Sequence, residues 1–417
     1  MTPFVRDNLR FVLKDKKILL GVTGSIAAYK SCELIRLFRD CGAEVRVVLT
    51  ESAEKFVTKV TLETLSQNPV LGSLWEQSTQ GTHHIDTARW ADLALIAPAT
   101  ANTIAKLSHG FADDLLTTEL LAFQGPICIS PAMNPQMYSN PATQENIERL
   151  KTRGVRFLGP ASGATACGEE GLGRMVEPDQ ICEQVAESFH ATPKNERLLI
   201  SLGPTRSPVD PVRYFSNRSS GLMGAALVWA AVQRGHKVTA ICGPTTVELP
   251  RSAKKISVTT AQEMAQAVLE LWPSADVYIG AAAVLDWDID NPHQEKLKKG
   301  TLIPSLKLRE NLDILAEVSR RRERNQKVIG FAAETRDIVE YARQKLSAKG
   351  CDAVFANDVS QSHQGFESLE NSGFWITKNE LTPIGTHSKT ELARILLGLI
   401  DRTQNTPSLR STNELSH

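Results

Sequence analysis

The 417-residue chain lacks an excess of either charge, since 47 lysines and arginines balance 47 aspartates and glutamates. Without a basic surplus to attract polyanions, nucleic acid and anionic membrane are poor first candidates for partners. It also lacks paired cysteines. The seven present are odd in number and contain no CxxC, which argues against a disulfide framework and a structural zinc site and for a reducing compartment. Long apolar runs are missing: ADLALIAPATANTIA and VYIGAAAVL are interrupted or fall short of the roughly 20 residues that cross a bilayer. The start shows no export signal, so a soluble, cytoplasmic protein is expected. What remains, 41% hydrophobic and 23% charged, excludes a disordered chain, and the length suits two or three domains.

After a polar leader, Lys17 to Val22 reads as a strand, Gly21-Val-Thr-Gly-Ser25 as a glycine turn and Ile26 to Arg39 as a helix. Glu44 to Thr50 returns as a strand, and the apolar runs Ala91 to Pro98 and Pro126 to Ala132 suit strands buried on both faces. The charged segment from His190 to Arg197 marks a boundary. A second start follows: strand Leu198 to Leu202, helix Met223 to Arg234, strand Lys237 to Cys242. Later strands are expected at Asp276 to Ala283, Lys327 to Ala333, Ala353 to Asn357 and Phe374 to Thr377. The pattern predicts an α/β protein of two doubly wound, Rossmann-like domains, each offering a ligand site at the carboxyl edge of its sheet.

In the first half, GVTGSIAAYK is an incomplete GxGxxG, because Ala27 takes the third glycine position. Its turn still offers free N–H groups and the Ser25 hydroxyl to a phosphate. PATANT, Pro98 to Thr103, adds a second polar cradle after another strand. His83 and His84 are equal candidates for a catalytic imidazole by composition. PAMNPQMY puts Asn134, an amide able to hold a carboxylate, at the ligand edge. ATACGEEGLGRM, Ala164 to Met175, is glycine-rich, as active-site lids are; its Cys167 could act as an acid or simply be an exposed thiol.

GVTGSIAAYK, HHIDTARWADL, PATANT, GFADDLLTT, PAMNPQMY and ACGEEGLGRM, in this order, resemble the flavin-dependent phosphopantothenoylcysteine decarboxylases. The resemblance implies FMN, held near Gly24, Ser25, Thr100 and Asn102 with contributions from Thr50 and Asp113. It assigns His84 as the catalytic histidine, Asn134 as the holder of the substrate carboxylate and Cys167 as the proton donor. A flavin that withdraws electrons from the substrate thiol supplies the sink that loss of CO2 requires.

In the second half, GPTRSPVDPVRYFSNRSSGLMG leads into a helix and suits anion handling, GAAAVLDW ends a small-residue strand on Asp286, and EKLKKG supplies Lys296, Lys298 and Lys299. With ENLDIL, GFAAET, EYARQKLSAKG and ANDVSQ they resemble phosphopantothenate-cysteine ligase, a family fused to the first in bacterial bifunctional enzymes. The resemblance implies a flavodoxin-like flavoprotein domain over 15–190 and a nucleotide-binding ligase domain over 196–401; the polar residues 402–417 are expected to form a disordered tail. CTP would contact Gly280, Ala281, Ala282, Asp286, Lys296, Leu312, Asp313, Ile314, Leu315, Phe331, Lys345 and Lys349, with Asp286 a candidate Mg2+ ligand. Lys296 would stabilise charge as the 4'-phosphopantothenate carboxylate attacks the nucleotide. Asn217 would position the acyl-cytidylate for L-cysteine.

This chain departs from the ligase pattern at Leu202, Ser207, Leu222, Leu285 and Leu312, of which Leu222 replaces a lysine and Ser207 a glutamate. Weaker phosphate affinity or slower turnover is the expected consequence. The implied assembly is a homo-oligomer, a dodecamer built from trimers and dimers. Two other readings stay open: a flavoprotein decarboxylase acting on another cysteine-bearing substrate with an inert second half, and a nucleotide-sensing module without chemistry.

Overall fold

The computed structural model describes residues 1–75, 83–164, 168–298, 306–323, 325–334, 336–358 and 368–404. The chain divides into two compact units, Met1–His190 and Ala191–His417.

The first unit is built on five parallel strands: β1 (Lys17–Val22), β2 (Glu44–Leu49), β3 (Leu93–Ala99), β4 (Ile127–Pro131) and β5 (Arg156–Phe157). Their order is β2-β1-β3-β4-β5, so the direction of winding reverses between β1 and β3. Every residue of β3 is buried, which is why its sequence runs apolar without alternation. Helices Tyr29–Asp40 and Pro178–Glu187 pack together, while Ala101–His109, Leu115–Ala122, Pro141–Thr152 and His83–Trp90 form a second group. The expected polar leader is instead a helix, Pro3–Leu13. Val5, Leu9 and Leu13, spaced four apart, make a buried stripe that the intervening polar residues hide in the composition. The helix expected from Ile26 splits into a single turn, Ile26–Ala28, and the helix Tyr29–Asp40.

The second unit carries an eight-stranded sheet. In chain order its strands are β6 (Arg197–Leu202), β7 (Lys237–Cys242), β8 (Lys254–Ser257), β9 (Val277–Gly280), β10 (Lys327–Glu334), β11 (Ala353–Asp358), β12 (Glu370–Thr377) and β13 (Leu381–Ser388). The spatial order is β8-β7-β6-β9-β10-β11-β12-β13, parallel through β11 and antiparallel beyond, with the winding reversed between β6 and β9. Within this sheet the two strands the sequence pattern missed, β8 and β13, are the edge strands. Lys254 and Lys255 blunt the first, and Pro383 and Gly385 interrupt the second. Helix Leu222–Gln233 is buried almost along its whole length and packs on the last helix, Lys389–Gln404, as an all-apolar helix must. That last helix runs three residues past Asp401; residues 405–417 of the expected tail lie outside the described residues. Among the described residues, no helix is long and apolar enough to cross a membrane.

Candidate functional site

Each sheet carries a cleft where its winding reverses. In the first unit, Thr23 ties the two turns that frame the cleft: its hydroxyl donates to Pro98 O at 2.8 Å and accepts from Thr100 N–H at 3.1 Å. Ser25 caps the turn Ile26–Ala28, and Thr100 caps helix Ala101–His109. Two hydroxyl-capped starts thus converge on one space. Gly24 is required there because a Cβ would stand 2.5 Å from Ser52 Cβ. The resulting cleft, ≈590 Å³, is lined by Gly24, Ser25 and Thr100 on one side and by Met133, Asn134 and Met137 on the other.

Of the six residues expected at a flavin, Gly24, Ser25 and Thr100 line this cleft; Thr50, Asn102 and Asp113 do not. Thr50 Oγ1 donates to Val22 O at 3.3 Å beside it, Asn102 is exposed, and Asp113 pairs with Lys106 at 2.9 Å. Asn134 caps helix Pro135–Ser139 by accepting from Gln136 N–H, and its Nδ2 donates to Glu169 Oε2 at 2.9 Å. The cap holds the amide at the cleft wall. His84 belongs to helix His83–Trp90, but its side chain lies outside the description; Cys167 lies outside the described residues. The antiparallel strands Ala161–Ala164 and Glu170–Arg174 flank its position in the chain.

Two cations at the cleft escaped the sequence reading. Lys30, buried to 6% exposure, pairs with Glu177 at 2.9 Å, and its ammonium holds that carboxyl below the usual range. Arg174 pairs with the same carboxylate. Lys30 carried a faint signal as the last residue of GVTGSIAAYK, one turn into the helix after the glycine turn.

The second unit has two clefts that share Ala282, Val284, Asp286, Phe331 and Lys345. One, ≈490 Å³, is lined by Gly280, Leu312 to Leu315 and Lys349; the other, ≈300 Å³, by Asn217, the Ser219–Gly224 turn and Ala281. Every residue expected at CTP therefore lines one cleft or both, except Lys296. That lysine is exposed on a loop beside Leu297, and Lys299 lies outside the described residues. Asp286 is exposed at the mouth shared by both clefts. Asn217 Nδ2 donates to Ala283 O at 2.9 Å, and Lys345 Nζ to Phe331 O at 2.7 Å. Asp313 caps helix Ile314–Arg321 and pairs with Lys349. Burial raises its pKa, but those two partners outweigh it and hold the carboxyl below its ordinary value.

The loop anchor, Asp210, was not singled out from sequence. Its carboxylate accepts from the N–H groups of Val212 and Arg213 and from Arg213 Nε, and also from Leu297 N–H at 3.2 Å. Burial pushes its pKa up, but these donors bring it to about 2. One carboxylate thus ties the Gly203–Gly224 loop to the loop of Lys296. Three of the departures from the ligase pattern have a clear place in the structure. Ser207 is buried and donates to Asp288 while accepting from Ile289 N–H, and Leu202 packs where a Cβ on Gly224 would come within 2.4 Å of its own. Leu222 opens helix Leu222–Gln233 at the cleft wall and contributes no charge.

The chain thus carries two α/β units, one with a hydroxyl- and glycine-framed cleft and one with a lysine- and aspartate-bearing double cleft, the layout of a two-domain α/β protein with a ligand edge in each unit. Residues 9–190 match the family model described as Flavoprotein, and residues 193–403 match that of the DNA/pantothenate metabolism flavoprotein C-terminal domain. The chain is 44% identical over 398 residues to the coenzyme A biosynthesis bifunctional protein CoaBC of Haemophilus influenzae, covering 94% of this chain and 99% of that one. To CoaBC of Bacillus subtilis it is 43% identical over 366 residues, covering 86% and 90%. A crystal structure of a CoaBC C-terminal domain matches 51% of this chain and 96% of its own at 33% identity and a TM-score of 0.44. The chain belongs to the CoaBC family of coenzyme A biosynthesis bifunctional proteins. It is a bifunctional enzyme, ligase and decarboxylase, of coenzyme A biosynthesis.

Proposed function

We propose that the second unit joins 4'-phosphopantothenate to L-cysteine at the expense of CTP and that the first, holding FMN, decarboxylates the product to 4'-phosphopantetheine. The strand orders support a flavodoxin-like first domain and a Rossmann-like second. The observation that carries the reading is the first cleft. Its size, its two hydroxyl-capped starts beside Lys30 and Arg174, and its apolar wall of Met133 and Met137 fit a phosphate joined to a flat ring. FMN, when bound, supplies an acceptor for the electrons of the substrate thiol. Ser25 and Thr100 would hold its phosphate. Asn134, kept at the wall by its cap, would orient the departing carboxylate. His84 would move a proton at the substrate, and Cys167 would return one to the carbon that lost CO2. Asn102, Thr50 and Asp113 would join this site from its margin.

In the second unit, Lys345 and Lys349 are the cations of the nucleotide cleft, and Leu312 to Leu315 would read the base. Asp286 lines both clefts and would hold Mg2+ on the triphosphate. Lys296, carried by the loop that Asp210 anchors, would swing over the carboxylate as it attacks. Asn217 would hold the acyl-cytidylate. Exposed Ile26, Tyr29 and Met137 around the first cleft support assembly of several copies, in which a neighbour would cover them.

Two substitutions test the reading. Cys167→Ser is expected to evolve CO2 while accumulating the unreduced ene-thiol, two hydrogens short of the normal product, followed by mass spectrometry; normal product at the parental rate removes Cys167 from the last step. Lys296→Gln is expected to cut acyl-cytidylate formation by about 100-fold, followed by pyrophosphate release. Undiminished release removes Lys296 from the first step.

A further inference from the structure

The smaller cleft of the second unit has a lining that the reading above leaves unused: Asn357, Asn371 and Lys389. Asn357 lies near the end of β11, Asn371 near the start of β12, and Lys389 directly after β13. Strand pairing gathers them. Asn357 pairs with Gly373, Asn371 pairs with His387, and Lys389 N–H donates to Leu369 O at 2.9 Å. The register between β12 and β13 shifts between Asn371 and Gly373. Such irregularities re-aim side chains beside functional sites. Gly373 permits the close approach, since a Cβ there would stand 2.0 Å from Ala356 O.

All three side chains are deeply buried, at 9%, 3% and 3% exposure. The Oδ1 atoms of both asparagines are buried without a hydrogen-bond partner. A folded chain rarely leaves two acceptors so, and a ligand N–H satisfies them. Burial pushes Lys389 down to about 8, so its amine gives up a proton in mildly alkaline solution, far more readily than an ordinary lysine. Phosphate would want donors only. Two acceptors beside a readily neutralised lysine suit a ligand with N–H donors and a proton to lose.

We propose that Asn357, Asn371 and Lys389 form the subsite for the nucleophile of the ligation, the α-ammonium group of cysteine. The proposal rests on the ligase reading. The asparagine oxygens accept from the ammonium, and the neutral Lys389 Nζ takes one of its protons. The freed nitrogen pair attacks the acyl carbon of the acyl-nucleotide held near Asn217, in the same cleft. A C–N bond forms, the C–O bond to phosphate breaks, and the nucleoside monophosphate leaves with that electron pair. The second nitrogen proton passes to solvent. Asp286 and Lys345 are the other charged side chains lining this cleft, and Lys345 is engaged by Phe331 O.

The test uses the full-length protein with 4'-phosphopantothenate, CTP and Mg2+, offered cysteine and hydroxylamine together. Hydroxylamine is already neutral at pH 7 and needs no base, so the hydroxamate reports activation of the carboxylate in the same tube. Lys389→Met and Lys389→Arg, which keeps the charge but cannot release a proton, are expected to lower the ratio of cysteine amide to hydroxamate by about 100-fold. Asn371→Leu is expected to lower it by about 10-fold. If Lys389→Met yields no hydroxamate, the ratio in Asn371→Leu decides alone. Parental ratios in these variants overturn the subsite. A parent protein that makes neither product overturns the ligase reading, and the subsite falls with it.

Discussion

Glu119 is a fully buried carboxyl in the core under helix His83–Trp90, with the Thr87 hydroxyl of that helix beside it. Burial, opposed only in part by the Thr87 hydroxyl, raises its pKa from 4.5 to about 8. The unfolded chain therefore releases this proton first as pH rises, and stability falls between 4.5 and about 8. Glu119→Gln is expected to flatten that slope and to exceed the parent by up to roughly 4 kcal/mol near pH 8. Urea unfolding of both proteins across this range checks it, and parallel curves contradict it. Nothing in GFADDLLTTELLA shows that Glu119 points inward, because one acidic residue in a short apolar helix reads equally well as its solvent side. The same limit hid Lys30, Asn371 and Lys389. Asn134, Asn217 and Asp286 were legible because each follows a strand in a run of small residues or prolines, where a polar side chain has a ligand edge to face.

The elements that hold the sites follow from short-range chemistry, and most were readable. Strands β1, β3, β6 and β9 carry apolar runs without alternation and lead into turns of small or glycine residues, Thr23-Gly24, Thr100-Ala101, Gly203 and Ala281-Ala282. The edge strands β8 and β13 and the first helix were not, because lysines, a proline and a sparse stripe conceal their pattern. Gly24→Ala tests the turn after β1: the added methyl meets Ser52, and flavin retention is expected to fall by at least 10-fold, read from the absorbance of the purified protein. Unchanged yellow protein contradicts it. The last helix is pinned by a charge cluster. His236 Nδ1 lies 2.9 Å from Glu196 and Nε2 3.4 Å from Asp401, while Lys194 and Arg234 also reach Asp401. Burial lowers the His236 pKa, but the two carboxylates outweigh it and raise it above 6.5. Its contribution is thus complete below 6.5 and lost as pH rises through the raised value. His236→Gln is expected to cost more stability in mildly acidic than in alkaline buffer, read from Tm at each pH. A pH-independent difference sets the imidazolium aside.

The whole chain places two chemistries in one polypeptide, and the product of one is the substrate of the other. Ligation needs nucleotide, and decarboxylation needs an electron acceptor. The clefts differ accordingly: Lys345, Lys349 and Asp286 line those of the second unit, and the thioethers of Met133 and Met137 stand beside hydroxyls, Lys30 and Arg174 in that of the first. The most direct measurement is the mass of the pantothenate species when the purified protein is given 4'-phosphopantothenate, cysteine, Mg2+ and CTP. The account predicts that the substrate gains cysteine less water and then loses CO2, the first step stopping without nucleotide and the second stopping when the flavin is stripped. Condensation without CO2 loss by flavin-loaded protein, or CO2 loss undiminished after stripping, would contradict it.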